Sequence, residues 1–285
     1  MSERLQSYAR LIRLDKPIGT LLLLWPTWWA LWLASGGLPD LQTLLIFTLG
    51  TFLMRSAGCA INDYADQNFD RDVLRTQHRP VTSGQISGKE AVWVAIILAL
   101  LAFALIQPLN FLTKELSVLA VLIAAVYPFT KRFFAIPQAV LGVAFGFGIP
   151  MAYAAILGFI PLEAWILFLG NIFWAIAYDT AYAMVDREDD IRIGIKTSAI
   201  TFGHLDVVAI TFCYGVLLLS QIIMARMAHL SPYFWLGWWA ALLCALYHVK
   251  LVSTRTRENC FKAFLHNNWL GGFLFLGIVM GLSLA

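Results

Sequence analysis

The sequence predicts an all-α, polytopic membrane protein with nine transmembrane helices, forming a single domain over residues 1–285. Three observations carry this reading. Only 13% of residues are charged and 60% are hydrophobic, whereas soluble domains hold roughly 25% charged residues. Apolar runs of about twenty residues recur along the chain, the length that crosses a bilayer as a helix; the mean hydropathy is +0.74. The lysines and arginines also segregate to one side once nine spans are drawn. Backbone polar groups in lipid must be satisfied within each span, which favours helices. The period-two alternation of a β-barrel is absent.

Residues 1–16 are amphipathic. Leu5, Tyr8, Leu11 and Ile12 oppose Arg4, Arg10 and Arg13, as in a helix lying on an anionic membrane surface. No cleavable leader is expected, because this stretch is polar and lacks a plausible cleavage site beyond it. Pro17 opens span one, at about 18–36, which is rich in Leu and Trp, and Gly36-Gly37 forms the turn after it. Span two, at about 42–61, ends in Asn62-Asp-Tyr-Ala-Asp66-Gln-Asn-Phe-Asp70. A polar segment, 63–90, follows and leads to spans three (about 90–107) and four (about 115–130). Span four ends in Tyr127-Pro-Phe-Thr-Lys131-Arg132. Span five, about 134–155, carries Gly142, Gly146 and Gly148, which permit close helix contact. Span six, about 162–184, delivers a second acidic stretch, and a second polar segment occupies 186–205. Spans seven to nine fall at about 206–226, 231–251 and 265–284.

Seventeen of the twenty Lys and Arg then share one side; Lys114 and Arg226 lie on the other, and Arg55 lies within a span. The positive-inside rule puts the amino terminus and both acidic stretches in the cytoplasm. Cys59, Cys213, Cys244 and Cys260 are scattered, which suggests neither a zinc site nor a disulfide framework. His204, His248 and His266 have no metal-like spacing and read as structural.

The chemistry is concentrated in the two acidic stretches. Asp66 and Asp186 are 120 residues apart, as are Asp70 and Asp190, so each half of the chain carries a DxxxD. At 3.6 residues per turn, Asn62, Asp66 and Asp70 share a face with a drift of about 40° per step, if the helix continues that far. Asp186 and Asp190 fall within about 20° of Asp179, one to either side. Packed carboxylates repel unless a cation neutralises them. Hard oxygen donors in this number (Asn62, Asp66, Asp70, Asp186, Asp190) suit Mg²⁺, which bridges to substrate phosphates. Arg71, Arg75, Lys131, Arg132, Arg187 and Lys196 would bind remaining phosphate oxygens. A single acidic helix end is usually a solvated cap; the paired spacing on one side of a nearly charge-free bundle favours the metal–diphosphate reading. Glu188 and Asp189 flank that row and read as facing water. Asp179 and Arg55 lie inside spans, where an ionisable group is costly. Arg55 reads either as an anchor for an anionic substrate group or as a structural partner of Asp179. Trp25, Trp28, Trp29 and Trp32 read as packing or lipid-facing surface, although aromatic faces also stabilise carbocations.

Asn62 to Asp70, Tyr127-Pro-Phe-Thr-Lys131 and Asp186-Arg-Glu-Asp-Asp190 resemble the signature motifs of the UbiA superfamily of intramembrane aromatic prenyltransferases. Arg13-Leu-Asp-Lys-Pro-Ile-Gly-Thr, Asn68-Phe-Asp-Arg with Arg79-Pro, and Ala177-Tyr-Asp-Thr-Ala-Tyr resemble its 4-hydroxybenzoate polyprenyltransferase branch. The resemblance runs from about residue 8 to 280. It implies nine helices around a central cavity, capped on the cytoplasmic side by the two polar segments, in a bacterial inner membrane. It implies transfer of an all-trans polyprenyl group from polyprenyl diphosphate to C3 of 4-hydroxybenzoate, with Mg²⁺, in ubiquinone biosynthesis. Asn62, Asp66 and Asp70 match its first metal–diphosphate motif, Asp186 and Asp190 the second, and Tyr127 and Lys131 its YxxxK motif. Asp179 is then a candidate to polarise the phenol or accept a proton, and Arg55 or Arg132 to hold the carboxylate. Membrane lipid is the expected surrounding; no nucleic acid or obligate protein partner is expected. The alternatives are another aromatic acceptor (homogentisate, a naphthoate or a porphyrin) and a secondary transporter. A CDP-alcohol phosphotransferase would need a denser DGxxAR-type motif, which is absent.

Overall fold

The computed structural model describes residues 3–73 and 75–283, and among these every regular element is a helix. In chain order they are α1 (Glu3–Leu11), α2 (Ile18–Ser35), α3 (Leu41–Asp66), α4 (Gly88–Leu105), α5 (Phe111–Thr130), α6 (Pro137–Gly146) and α7 (Gly148–Leu157). Then come α8 (Leu162–Ile193), α9 (Ser198–Phe202), α10 (Asp206–Met227), α11 (Phe234–Val252) and α12 (Arg257–Ser283). Nine helical segments among the described residues are long and apolar enough to cross a membrane, with α6 and α7 together forming the fifth.

Local chemistry sets the ends. Pro17 precedes α2, where a missing N–H costs nothing. The α2 helix stops at Gly36, whose positive φ of 63° suits a residue without Cβ. The Asp40 side chain accepts from Thr43 N at the start of α3. Ser87 and Glu90 form a reciprocal capping box at the start of α4. The Glu90 carboxylate also accepts from Tyr8 Oη at 3.0 Å and from Arg4 at 2.5 Å, so the amphipathic α1 is pinned to the bundle. Span five is broken at Phe147, a division its sequence did not announce. The expected close approach there is present: a Cβ at Gly142 would lie 2.9 Å from Ile172 Cα of α8.

The α8 helix is the central element. Ala164, Leu167, Trp174, Ala175, Ala177 and Ala181 are fully buried along it. By contrast α4 and α5 expose Ile97, Leu100, Leu122 and Val126, as lipid-facing helices do. The four tryptophans of α2 pack rather than line a site: Trp25, Trp28 and Trp32 gather around Phe275 of α12, and Trp29 stacks on Trp174. His248 bonds Tyr214 and His266 in a buried network between α10, α11 and α12. The four cysteines are free and buried.

One expectation about the acidic stretches needs correction. The α3 helix ends at Asp66 and does not carry Asp70 on a continuous face; a short 3₁₀ turn, Asp70–Asp72, returns that side chain to the interior. The second stretch stays on its helix past residue 186, as the shared face of Asp179, Asp186 and Asp190 requires, so that of the polar segment 186–205 only 194–205 lies beyond α8. It remains in α8 to Ile193, and the chain turns only at Gly194, with φ of 73°.

Candidate active site

A cavity of about 740 Å³ lies among α2, α3, α4, α5, α6, α7, α8 and α12. Its wall follows α3 from Ile46 to Asp66, roughly 30 Å at 1.5 Å per residue. The deep part is apolar, with Phe47, Met54, Phe103, Leu141, Phe145 and Met151. The other end is acidic and basic at once: Asn62, Asp66, Asp70, Asp186 and Asp190 line it together with Arg75, Arg79 and Lys131. Acids from both halves of the chain therefore share one chamber, brought there by the ends of α3 and α8.

The four carboxylates are buried, and three have cationic partners. Lys131 Nζ lies 2.7 Å from Asp66 Oδ2, Arg79 Nη1 lies 2.7 Å from Asp70 Oδ2, and Arg75 Nη2 lies 2.5 Å from Asp186 Oδ2. Asp190 has no ion-pair partner within 4.0 Å among the described residues. Burial pushes the Asp70 carboxyl up from its ordinary range, with Arg79 pulling it back in part. Burial works against the charged forms of Arg79 and Lys131 too. Asp70 and Asp63 beside the first, and Asp66 beside the second, outweigh it and raise both.

The donor set suits a hard divalent cation: buried carboxylate and amide oxygens around one chamber, one of the acids lacking a counter-charge. Among the described residues no three acid, His or Cys side chains already converge as a metal cluster.

Other candidates fall on both sides of the cavity wall. Tyr127, one helical turn before Lys131, lines the chamber, as do Asp179 and Arg55. Arg55 bonds Cys59 Sγ, and its buried Nε has no partner; an Arg55–Asp179 ion pair is not found among the described residues. Arg71, Arg132 and Arg187 do not line the chamber. Arg71 is exposed. Arg132 donates to Ala65 O at 3.1 Å and lies over the rings of Phe69 and Phe129. Arg187 pairs with Asp206 at 2.5 Å. Lys196 donates to Phe133 O at 3.2 Å. Asp189 is buried rather than solvated, bonded by Arg192 and Arg257, whereas Glu188 is exposed.

Sequence reasoning overlooked Arg13, Asp63, Arg79 and Tyr182 as site residues. Arg13 Nη2 lies 2.6 Å from Asp63 Oδ1, and Arg79 lies 3.5 Å from the same oxygen, so a chain of charges runs from the entry of α2 to Asp70. Tyr182 carries the Arg75 guanidinium 4.4 Å above its ring. A signal existed for it: Tyr182 lies four residues before Asp186 on α8, hence on the same face.

The model of the UbiA prenyltransferase family matches residues 23–277. This chain belongs to the UbiA prenyltransferase family. It is 75% identical to the 4-hydroxybenzoate octaprenyltransferase of Polynucleobacter asymbioticus over 284 residues, covering 100% of this chain and 99% of that one. It is 61% identical to the same-named protein of Cupriavidus pinatubonensis, over the whole of both chains. Among UbiA structures, the apo homologue from Aeropyrum pernix K1 superposes with a TM-score of 0.79 at 22% identity, over 92% of this chain and 97% of that one. The Archaeoglobus fulgidus UbiA homologue bound to GPP and Mg²⁺ gives 0.70 at 20% identity, over 95% and 99%. These two likenesses are likenesses of fold.

Proposed function

We propose that the chain transfers an octaprenyl group from its diphosphate to the ring carbon ortho to the hydroxyl of 4-hydroxybenzoate. The observation that carries this is the single chamber with an acid-and-cation end opening into an apolar tunnel. Such a shape takes a diphosphate at one end and a polyprenyl tail along the other. The full-length relatives named for this activity supply the acceptor and the chain length.

Asn62, Asp66, Asp70, Asp186 and Asp190 would hold Mg²⁺. When bound, that ion supplies charge neutralisation to the leaving diphosphate. Arg75, Arg79 and Lys131 supply further positive charge at the same end and orient the phosphate oxygens. The allylic C–O bond breaks and its electron pair leaves with diphosphate. The ring carbon ortho to the phenol oxygen then forms the new C–C bond, and the ring proton is lost. Asp179, on the cavity wall, would polarise the phenol or take that proton; Tyr127 lies on the same wall. Arg55, which lines the cavity without an ion-pair partner among the described residues, holds the benzoate carboxylate. The polar segments that follow α3 and α8 contribute Phe69, Val73 and Ile195 to the cavity wall, and as a cap they would keep water from the reacting carbon. In a bacterial inner membrane the positive residues put this end at the cytoplasm.

The test is an assay of membranes containing the chain, with Mg²⁺, 4-hydroxybenzoate and labelled octaprenyl diphosphate. Prenylated 4-hydroxybenzoate is expected, and EDTA should remove it. Product with homogentisate or a naphthoate but none with 4-hydroxybenzoate would overturn the reading.

A further inference from the structure

The entry to α2 is the part of the cavity wall that the proposed reaction leaves without a role. Pro17, Ile18 and Gly19 line the chamber, and Gly19 sits in the first turn of α2. A Cβ built at Gly19 would lie 2.8 Å from Arg55 Nε and 3.0 Å from Arg55 Cζ, and closer still to Nη2. Real Cβ atoms do not approach other atoms so closely, so the guanidinium lies against the bare backbone of α2. A helical glycine is otherwise unfavourable, and a close approach is the usual reason for one. The guanidinium is the far end of a flexible side chain, so a Cβ at this position would displace the fork rather than the helix. Its Nη1 is tied to Cys59 Sγ one turn along α3, and its Nε is buried. The charge also differs from its neighbours. Arg13, Arg75 and Arg79 each have a carboxylate within 4.0 Å, and Arg55 has none among the described residues.

We propose that Gly19 is a positioning residue: it admits the Arg55 guanidinium between α2 and α3 and thereby selects an acceptor bearing a carboxylate. This rests on the reading of Arg55 as the carboxylate anchor. The glycine touches neither substrate. It acts by fixing the plane of the fork, and a bidentate fork is useful only when its plane meets that of the carboxylate.

The test is a double-mutant cycle on the full chain in detergent, with Gly19→Ala, Arg55→Ala and both together. KM is measured separately for 4-hydroxybenzoate and for the prenyl diphosphate. The rate ratio of 4-hydroxybenzoate to its uncharged amide is read in each variant. Acceptor binding without donor is followed by intrinsic tryptophan fluorescence. Gly19→Ala should raise KM for 4-hydroxybenzoate about tenfold, the loss of roughly one charge-assisted hydrogen bond, and leave the donor KM unmoved. The acid-to-amide ratio should fall with it. In the Arg55→Ala background, Gly19→Ala should add nothing, because the two act as a unit. An additive effect there, or equal losses for both substrates, overturns the inference and leaves the anchor reading standing. An unchanged 4-hydroxybenzoate KM in Arg55→Ala overturns the anchor reading itself. Should Gly19→Ala fail to fold, Gly19→Ala with Arg55→Lys decides: the narrower ammonium head should restore folded protein, and failure to restore it shows that the contact is not the cause.

Discussion

Lys131 Nζ lies 2.7 Å from Oδ2 of Asp66, joining the end of α5 to the end of α3 across the mouth of the cavity. Asp66 is buried and Lys131 half-buried, and the carboxylate raises the lysine pKa above its ordinary value in spite of the desolvation. The ammonium therefore stays charged through the working pH range, beside an acid assigned to the metal–diphosphate site. Lys131→Met should cut kcat/KM by about a hundredfold or more, the usual cost of removing a charge-stabilising donor from a dry site. Lys131→Arg keeps the charge and should lose less. Steady-state kinetics with varied prenyl diphosphate measures both; wild-type kcat/KM in Lys131→Met would exclude the role.

Arg75 and Arg187 looked equivalent in the sequence, and the fold separates them. Arg75 lies against Asp186 and over the Tyr182 ring on the cavity wall, whereas Arg187 is turned to Asp206. Arg75→Ala should raise the KM for prenyl diphosphate about tenfold or more. Arg187→Ala should leave that KM alone and instead destabilise the fold by about 1–3 kcal/mol, since fully buried Asp206 would retain only Arg255. Thermal unfolding in detergent alongside donor titration distinguishes the two, and a reversed pattern would refute the placement.

The contrast shows what the sequence could and could not reveal. Nine spans were legible because lipid demands runs of apolar residues long enough to cross it. The acids were legible because polar groups are rare against that background. The direction of Arg187 was also recoverable: one residue beyond Asp186 on a continuous helix, it points about 100° away. Arg75 and Arg79 offered no such handle, since they lie on an irregular segment whose course is set by tertiary packing of Val81 and Ile86 against Leu11, Ala57 and Ala60. The return of Asp70 by a 3₁₀ turn was hidden for the same reason. Arg132 shows another limit: its stem and fork are taken up by Ala65 O and two phenyl rings, which residue type alone does not indicate.

Asp63 should be a stability residue rather than a metal ligand. Its carboxylate is fully buried, 2.6 Å from Arg13 and 3.5 Å from Arg79. It thus fastens the segment before α2 to α3. Asp63→Asn leaves Arg13 without a counter-charge, while Arg79 keeps Asp70, and should cost about 3 kcal/mol, as breaking a buried pair from one side does. The Mg²⁺ concentration for half-maximal rate should not move. A shift in that concentration with an unchanged melting temperature would make Asp63 part of the metal site instead.

Asp190 offers the cleanest separation of function from stability. It is buried, lines the acidic chamber, and has no ion-pair partner among the described residues. A desolvated carboxylate without a cation is a cost to the ligand-free fold. Asp190→Asn keeps the shape and removes the charge, so the metal-free protein should melt at the same temperature or higher. If the carboxylate belongs to the Mg²⁺ site, the same variant should need about tenfold more Mg²⁺, or more, for half-maximal rate. Asp186→Asn should behave differently, because it also strips Arg75 of its partner. That variant should lose both metal affinity and melting temperature. Melting curves in EDTA, paired with Mg²⁺ titrations of activity, test the distinction. A stabilised Asp190→Asn with an unaltered Mg²⁺ requirement would remove Asp190 from the site and leave three aspartates and Asn62 to hold the ion.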